Sequence, residues 1–209
     1  MRRRWQRAFV STAALALLTP AAFAQDGRCE RLARLSLPTT QITSAETVAA
    51  GAFVPPGLPA GAPAIPAAAV RNLPAFCRVA ATLTPTSDSD VKIEVWLPAS
   101  GWNGKFQGVG NGGWSGAIVY FALAAALRDG YATASTDTGH SGGSGSFALG
   151  HPEKLIDFGY RAVHEMTLKA KSIVKAYYGE APRLSYWNGC SSGGKQGLKE
   201  AQRFPEDYD

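Results

Sequence analysis

The residues with the clearest chemical capacity in this sequence are Gly189-Cys190-Ser191-Ser192-Gly193-Gly194, a match to the pattern G-x-S-x-G. In that pattern a serine sits on a sharp turn between a strand and a helix, and small neighbours let the backbone pass without clashing. The frame singles out Ser191, because a nucleophile at Ser192 would put Cys190 where the first glycine is required. A serine hydroxyl at the head of a helix suits acyl transfer: the Ser192 N–H and the helix dipole would face an oxyanion forming beside it. A second N–H donor is expected from the loop after an earlier strand, here Gly110-Asn111-Gly112-Gly113-Trp114, through Gly112 or Gly113. An ordinary tight turn is the plain alternative for that loop.

Other residues compete for attention. Gly108 to Gly113 matches G-x-G-x-x-G by letter, and Asp137 follows the next strand where a ribose-binding acid would stand. That nucleotide-binding reading leaves the Ser191 turn without a purpose. In a serine hydrolase of this kind the acid and the histidine follow the nucleophile in the order Ser, Asp or Glu, His. Only 18 residues follow Ser191, and His140, His151 and His164 all precede it. His140 reads as structural or close to the substrate, His151 as the start of a turn with Pro152, and His164 as a packed, hydrogen-bonded helical residue. Any of them acting as general base would make the chain a complete small hydrolase. Glu206, Asp207 and Asp209 come too soon after the serine to serve as its acid and are expected to face solvent. No metal ligand set is assigned.

The elements that must position these groups follow from periodicity. Arg78 to Thr84 and Val91 to Leu97 alternate apolar and polar residues around the turn Thr86 to Asp90, a hairpin pattern. Short strands are expected at Lys105 to Val109, Tyr131 to Thr136 and Arg183 to Trp187. Helices are expected at Ile118 to Arg128, Asp157 to Tyr178 and Ser192 to Phe204. On the long one, Ala162, Met166, Ala170, Ile173, Val174 and Tyr177 share a face, and Gly179 stands just past its end. Strands alternating with helices give an α/β protein with a mixed, mainly parallel sheet covered on both faces. Residues 25–75, rich in Pro, Ala and Gly, read as an irregular surface segment with one short strand near Thr40 to Val48. Residues 76–209 then form the catalytic unit.

The first 24 residues carry four arginines, an apolar run from Ala8 to Leu18 and Ala22-Phe23-Ala24, the pattern of a secretory signal cleaved after Ala24. The run is too short for a membrane anchor, since a span takes about 20 residues. Removing the signal lowers the formal charge from +5 to +1, which leaves no electrostatic case for nucleic-acid binding. Export to the periplasm or the medium permits disulfides. Cys29 and Cys77 lie in the same N-terminal stretch and are expected to pair, leaving Cys190 over.

Five blocks in order resemble the tannase and feruloyl esterase family, which also contains the enzyme that hydrolyses mono(2-hydroxyethyl) terephthalate. They are Trp102 to Phe106, Gly108 to Trp114, Thr136 to His140, Asp157 to His164 and Gly189 to Gly194. The resemblance implies an α/β-hydrolase fold and cleavage of phenolic-acid esters such as gallates and ferulates, so the partner is a small aromatic ester. It also implies that Cys190 pairs with a cysteine directly after the catalytic histidine, and that a lid domain inserted later in the family's chains holds calcium. None of those later parts lies within these 209 residues. The expectation is therefore an N-terminal piece, truncated after the nucleophile helix, inactive by itself and without a cofactor of its own. A non-catalytic exported binding module, with the serine turn purely structural, is the rival from another class.

Overall fold

The structure is a computed structural model, and it describes residues 27–57 and 65–209. The expected export signal lies outside the described residues. Among these residues six strands form one sheet: β1 (Thr40–Val48), β2 (Phe76–Leu83), β3 (Val91–Pro98), β4 (Lys105–Val109), β5 (Ala132–Thr136) and β6 (Leu184–Asn188). Their order is β1-β2-β3-β5-β4-β6. The hairpin β2–β3 is antiparallel with Val79 opposite Val95, β1 and β5 flank it antiparallel, and β5, β4 and β6 run parallel to one another. The sheet is mixed, as the alternation of elements implies.

Among the described residues six α-helices accompany it: α1 (Arg28–Arg31), α2 (Ala67–Val70), α3 (Tyr120–Arg128), α4 (Pro152–Ile156), α5 (Ala162–Tyr178) and α6 (Ser192–Arg203). The period-2 pattern of the hairpin divides its side chains between two cores. Val79, Ala81, Leu83, Ile93, Val95 and Leu97 pack under α5, whose Ala162, Met166, Ala170, Ile173, Val174 and Tyr177 are all buried there. Phe76 and Trp96 point to the opposite face, against Tyr120, Leu123 and Leu127 of α3. Gly179 ends α5 at φ 83° and Gly130 lies just beyond α3 at φ 78°, the left-handed conformation that glycine adopts without steric cost.

Two stretches differ from expectation. The helix expected from Asp157 begins at Pro152, and α4 joins α5 through a π-helical turn over Asp157–Arg161. The wider turn is accompanied by a fully buried Asp157, whose Oδ1 accepts from Arg161 Nε at 2.6 Å. The segment expected to be irregular apart from one short strand near Thr40 to Val48 has that strand, β1, paired with β2 along its whole length with one irregularity between Ile42 and Ser44; what differs is how much of it is buried. It also contributes Phe53, Val70 and Leu73 to the α3-side core. Composition misleads here because a few large residues among many small ones suffice to fill a niche. The expected Cys29–Cys77 disulfide is present, both cysteines are buried, and it ties α1 to β2.

Candidate active site

The turn from β6 into α6 places Ser191 at φ 56°, ψ −120°, a region that a residue bearing a Cβ rarely enters. Such a conformation costs about 1–3 kcal/mol and persists only where its surroundings enforce it. The enforcement is visible. Gly193 N donates to Cys190 O at 2.9 Å, Lys195 N to Ser191 O at 3.0 Å, and Trp187 Nε1 to Gly193 O at 2.8 Å. A Cβ on Gly189 would lie 2.5 Å from the Gly193 carbonyl, so the first glycine of the motif is required by contact as well as by pattern. Ser191 is exposed at the head of α6. The Ser192 N–H is among the first helical donors, which lack an intrahelical acceptor.

The loop after β4 is locked against this turn. A Cβ on Gly110 would come within 2.6 Å of Gly193 Cα and 2.9 Å of both Gln196 Oε1 and the Trp187 ring. Asn111 N donates to Gln196 Oε1 at 3.1 Å, and Gln196 Nε2 returns a bond to Asn111 Oδ1 at 3.3 Å. Asn111 Nδ2 also donates to Ala117 O at 2.8 Å and Thr136 O at 2.9 Å. Both amide side chains are buried, so one satisfied polar pair holds the loop, α6 and the end of β5 in register. Gly112 and Gly113 are exposed, Gly113 at φ 56°, and a Cβ on either would meet nothing. Their glycines therefore serve conformation and open access, unlike Gly110.

The same contacts dispose of the nucleotide-loop reading. Gly108 and Gly110 face Tyr208, Trp187 and Gly193, and no helix begins at the loop, since α3 starts only at Tyr120. A phosphate there would find no helix N-terminus to bind. Replacing Gly110 with alanine is expected to cost about 2–3 kcal/mol, because the nearest clash is with the Gly193 backbone and the Gln196 and Trp187 side chains beside it are held by their own hydrogen bonds. Thermal unfolding of G110A against the parent measures it; an unchanged Tm would show that the loop and α6 are not interlocked.

The three histidines are engaged elsewhere. His140 is buried, stacked on Phe147 at 3.8 Å, with Nε2 at 2.8 Å from Trp114 O and Nδ1 at 3.3 Å from Thr138 Oγ1. His151 Nδ1 lies 3.0 Å from Asp88 Oδ1. His164 Nδ1 lies 2.7 Å from Asp207 Oδ2, and its ring stacks on Phe204 at 3.7 Å. The expectation that Asp207 faces solvent is overturned: it is 1% exposed. The tail folds back along β6, with Asp209 N donating to Ser185 O at 2.9 Å and Ser185 N to Asp209 Oδ2 at 2.7 Å, and this carries Asp207 inward. Glu200 of α6 is buried beside it, and burial together with the Asp207 carboxylate pushes the Glu200 carboxyl up to about 8. Cys190 is a free thiol at the surface.

Asp137, at the end of β5, accepts from Lys92 N at 2.9 Å and Gly139 N at 2.8 Å. Burial raises its carboxyl to about 7, against the pull of those two N–H groups. It lines a cavity of about 480 Å³ with His140, Lys92 and Lys154, on which Ser191 does not border. For an acid whose folded pKa is raised, stability is full below the unfolded value near 4 and is lost as pH rises through the folded value near 7. Asp137→Asn keeps the acceptor oxygen and removes the charge. Its Tm is expected to exceed that of the parent at pH 8 and to lose part of the decline between pH 4 and 8, a contribution of up to about 4 kcal/mol. Parallel Tm–pH curves for the two proteins would refute it.

Of the residues this site uses, Asn111, Trp187 and Gln196 went unassigned in the sequence. Asn111 stands inside a glycine-rich block, but nothing local says that its partner is Gln196, 85 positions away.

Known proteins resemble this chain in sequence and in fold. The family model described as "Tannase and feruloyl esterase" matches residues 77–209. An uncharacterized esterase of Xanthomonas campestris pv. campestris is 45% identical over 196 residues, covering 93% of this chain and 32% of that protein. An Aspergillus fumigatus protein named "probable feruloyl esterase B-1" is 42% identical over 134 residues, covering 64% of this chain and 25% of its own length. The chain thus spans about a quarter to a third of the curated relatives it matches. The crystal structure of feruloyl esterase B from Aspergillus oryzae superposes with a TM-score of 0.78 at 34% identity, over 88% of this chain and 35% of that one.

Proposed function

Because the chain belongs to the tannase and feruloyl esterase family, we propose that it forms the nucleophile-bearing part of an exported serine esterase acting on phenolic-acid esters. The α/β-hydrolase fold and the esterase class come with the family and its structural neighbours. The observation that carries the catalytic reading is the strained backbone of Ser191, held at φ 56° by an interlocked set of glycines. Strain of this kind at an exposed serine has no use in packing, whereas it projects the hydroxyl clear of the sheet.

In this reading Ser191 Oγ attacks the ester carbonyl as a histidine removes its proton, and the N–H groups of Ser192 and of Gly112 or Gly113 take the charge on the carbonyl oxygen. The alcohol leaves with that proton, and water then releases the aromatic acid. The triad acid and histidine are assigned to sequence beyond Asp209, and Cys190 to a disulfide with a cysteine following that histidine. Residues 1–24 direct export and are removed after Ala24. The calcium that the family resemblance implies is assigned to lid residues outside this chain. Among the described residues the one group close enough to share an ion, His164, Glu200 and Asp207, includes a histidine nitrogen and is not the all-oxygen set that calcium takes. No step runs through calcium.

Labelling by a fluorophosphonate tests the reading. In the protein extended past Asp209 to an aspartate and a His-Cys pair, Ser191 is expected to be modified within minutes, with peptide mass spectrometry locating the adduct. In residues 25–209 alone the same reagent is expected to react slowly, because an unassisted serine is a weak nucleophile. No adduct at Ser191 in the extended protein would end the catalytic reading and favour a binding module.

A further inference from the structure

His164, Glu200 and Asp207 come from three separate parts of the fold, α5, α6 and the returning tail. One ligand atom from each lies within 4.8 Å of the others. Two features make this more than a cluster of acids. Glu200 is 1% exposed, and both of its carboxylate oxygens are buried without a hydrogen-bond partner. Deprotonated, Glu200 would face the Asp207 carboxylate with no donor to either of its oxygens, among the costliest arrangements a protein can hold unless a proton or a cation stands between the two groups. Its neighbours are otherwise engaged: Tyr208 Oη bonds Thr167 Oγ1 at 2.6 Å, and Lys171 Nζ bonds the Asp207 main-chain oxygen, not either carboxylate. Two carboxyl groups therefore face each other beside one imidazole nitrogen.

We propose that His164 Nδ1, Asp207 and Glu200 bind a divalent transition-metal ion, Zn²⁺ or Mn²⁺ in kind, in a structural site separate from the Ser191 turn. One imidazole nitrogen and two carboxylate oxygens form a donor set that such ions accept, with the remaining positions left to water. Binding replaces the contact between His164 Nδ1 and Asp207 Oδ2 with a bond from each to the ion, the neutral imidazole carrying its one proton on Nε2. The His164 ring is already oriented by its stacking on Phe204, which lowers the cost of assembling the ligands. The ion would pin α6, which carries Ser191 at its head, to α5. This inference does not depend on the esterase reading.

The test uses the full chain stripped with a chelator and then titrated with ZnCl₂ or MnCl₂. About one equivalent is expected to bind, with a rise in Tm of about 5 °C at saturating metal. Glu200→Gln and His164→Gln are each expected to weaken binding at least tenfold, while Glu206→Gln, an exposed control, leaves it unchanged. Should either variant fail to fold, the parent still decides: Co²⁺ bound at this site must show a visible absorption band that Zn²⁺ displaces. If neither ion binds, or if Glu200→Gln binds as the parent does, the site is refuted. A Glu200→Gln protein as stable as the parent and indifferent to metal would show that the two carboxyls share a proton instead.

Discussion

Ser191→Ala in the extended esterase is expected to lower kcat/KM for an aromatic ester by about 10⁴-fold to 10⁶-fold, the range seen when a hydrolase loses its nucleophile. The argument has two parts. Ser191 is exposed and its hydroxyl contributes nothing to the core, so the variant should fold as the parent does. The N–H donors of Ser192 and the Gly112 region stay in place, which leaves the residual acceleration that positioning and an oxyanion hole provide. Ser192→Ala supplies the contrast, since only its main-chain N–H is called on, and it should retain activity within about tenfold. Ser191→Gly separates strain from chemistry. It should be as inactive as Ser191→Ala yet more stable by about 1–2 kcal/mol, because glycine accepts φ 56° without penalty. Equal activity in Ser191→Ala and the parent would dismiss this serine as nucleophile.

Replacing Cys29 and Cys77 together by alanine is expected to remove about 4 kcal/mol of stability on the loop-entropy relation for a bridge spanning 48 residues. For a chain of this size that corresponds to a fall in Tm of roughly 8–16 °C. The bridge has a structural task that makes a large effect plausible. It connects α1, which precedes the edge strand β1, to β2 inside the sheet, with both sulfurs buried against Leu32 and the α5-side core. β1 itself is only partly buried and lies at the sheet edge, so an open chain would lose the ordering of β1 first. Alanine is the substitution of choice, since a serine hydroxyl would be buried at Cys77 without an assured partner. Thermal unfolding under oxidising and reducing conditions checks the value. A parent protein indifferent to reductant would show that the pairing of β1 with β2 holds that edge unaided.

Local patterns made much of this legible. The hairpin followed from strict alternation, because a strand buried on both faces by different cores still shows which residues go together. The buried face of α5 followed from its 3.6-residue period, and the Ser191 turn from the requirement for small residues around a sharp bend. The Cys29–Cys77 pair followed from the two cysteines lying in the same N-terminal stretch of a chain expected to be exported.

What the sequence by itself determined, then, was the type of each element, the serine at the turn and the family to which the pattern points. Tertiary structure alone decided which distant groups meet. Gly110 against Gly193, and Asn111 with Gln196, are contacts across more than 80 positions that no window of sequence contains. The burial of Asp207 is of the same kind, since an acidic tail after a helix looks solvated until it is seen to return along β6. So too is the entry of β1 into the sheet, which depends on a neighbour being available to pair its backbone. The physical reason is common to all of these. Periodicity and turn chemistry act within a few residues, whereas close packing and the pairing of buried polar groups are settled only when the whole chain closes on itself.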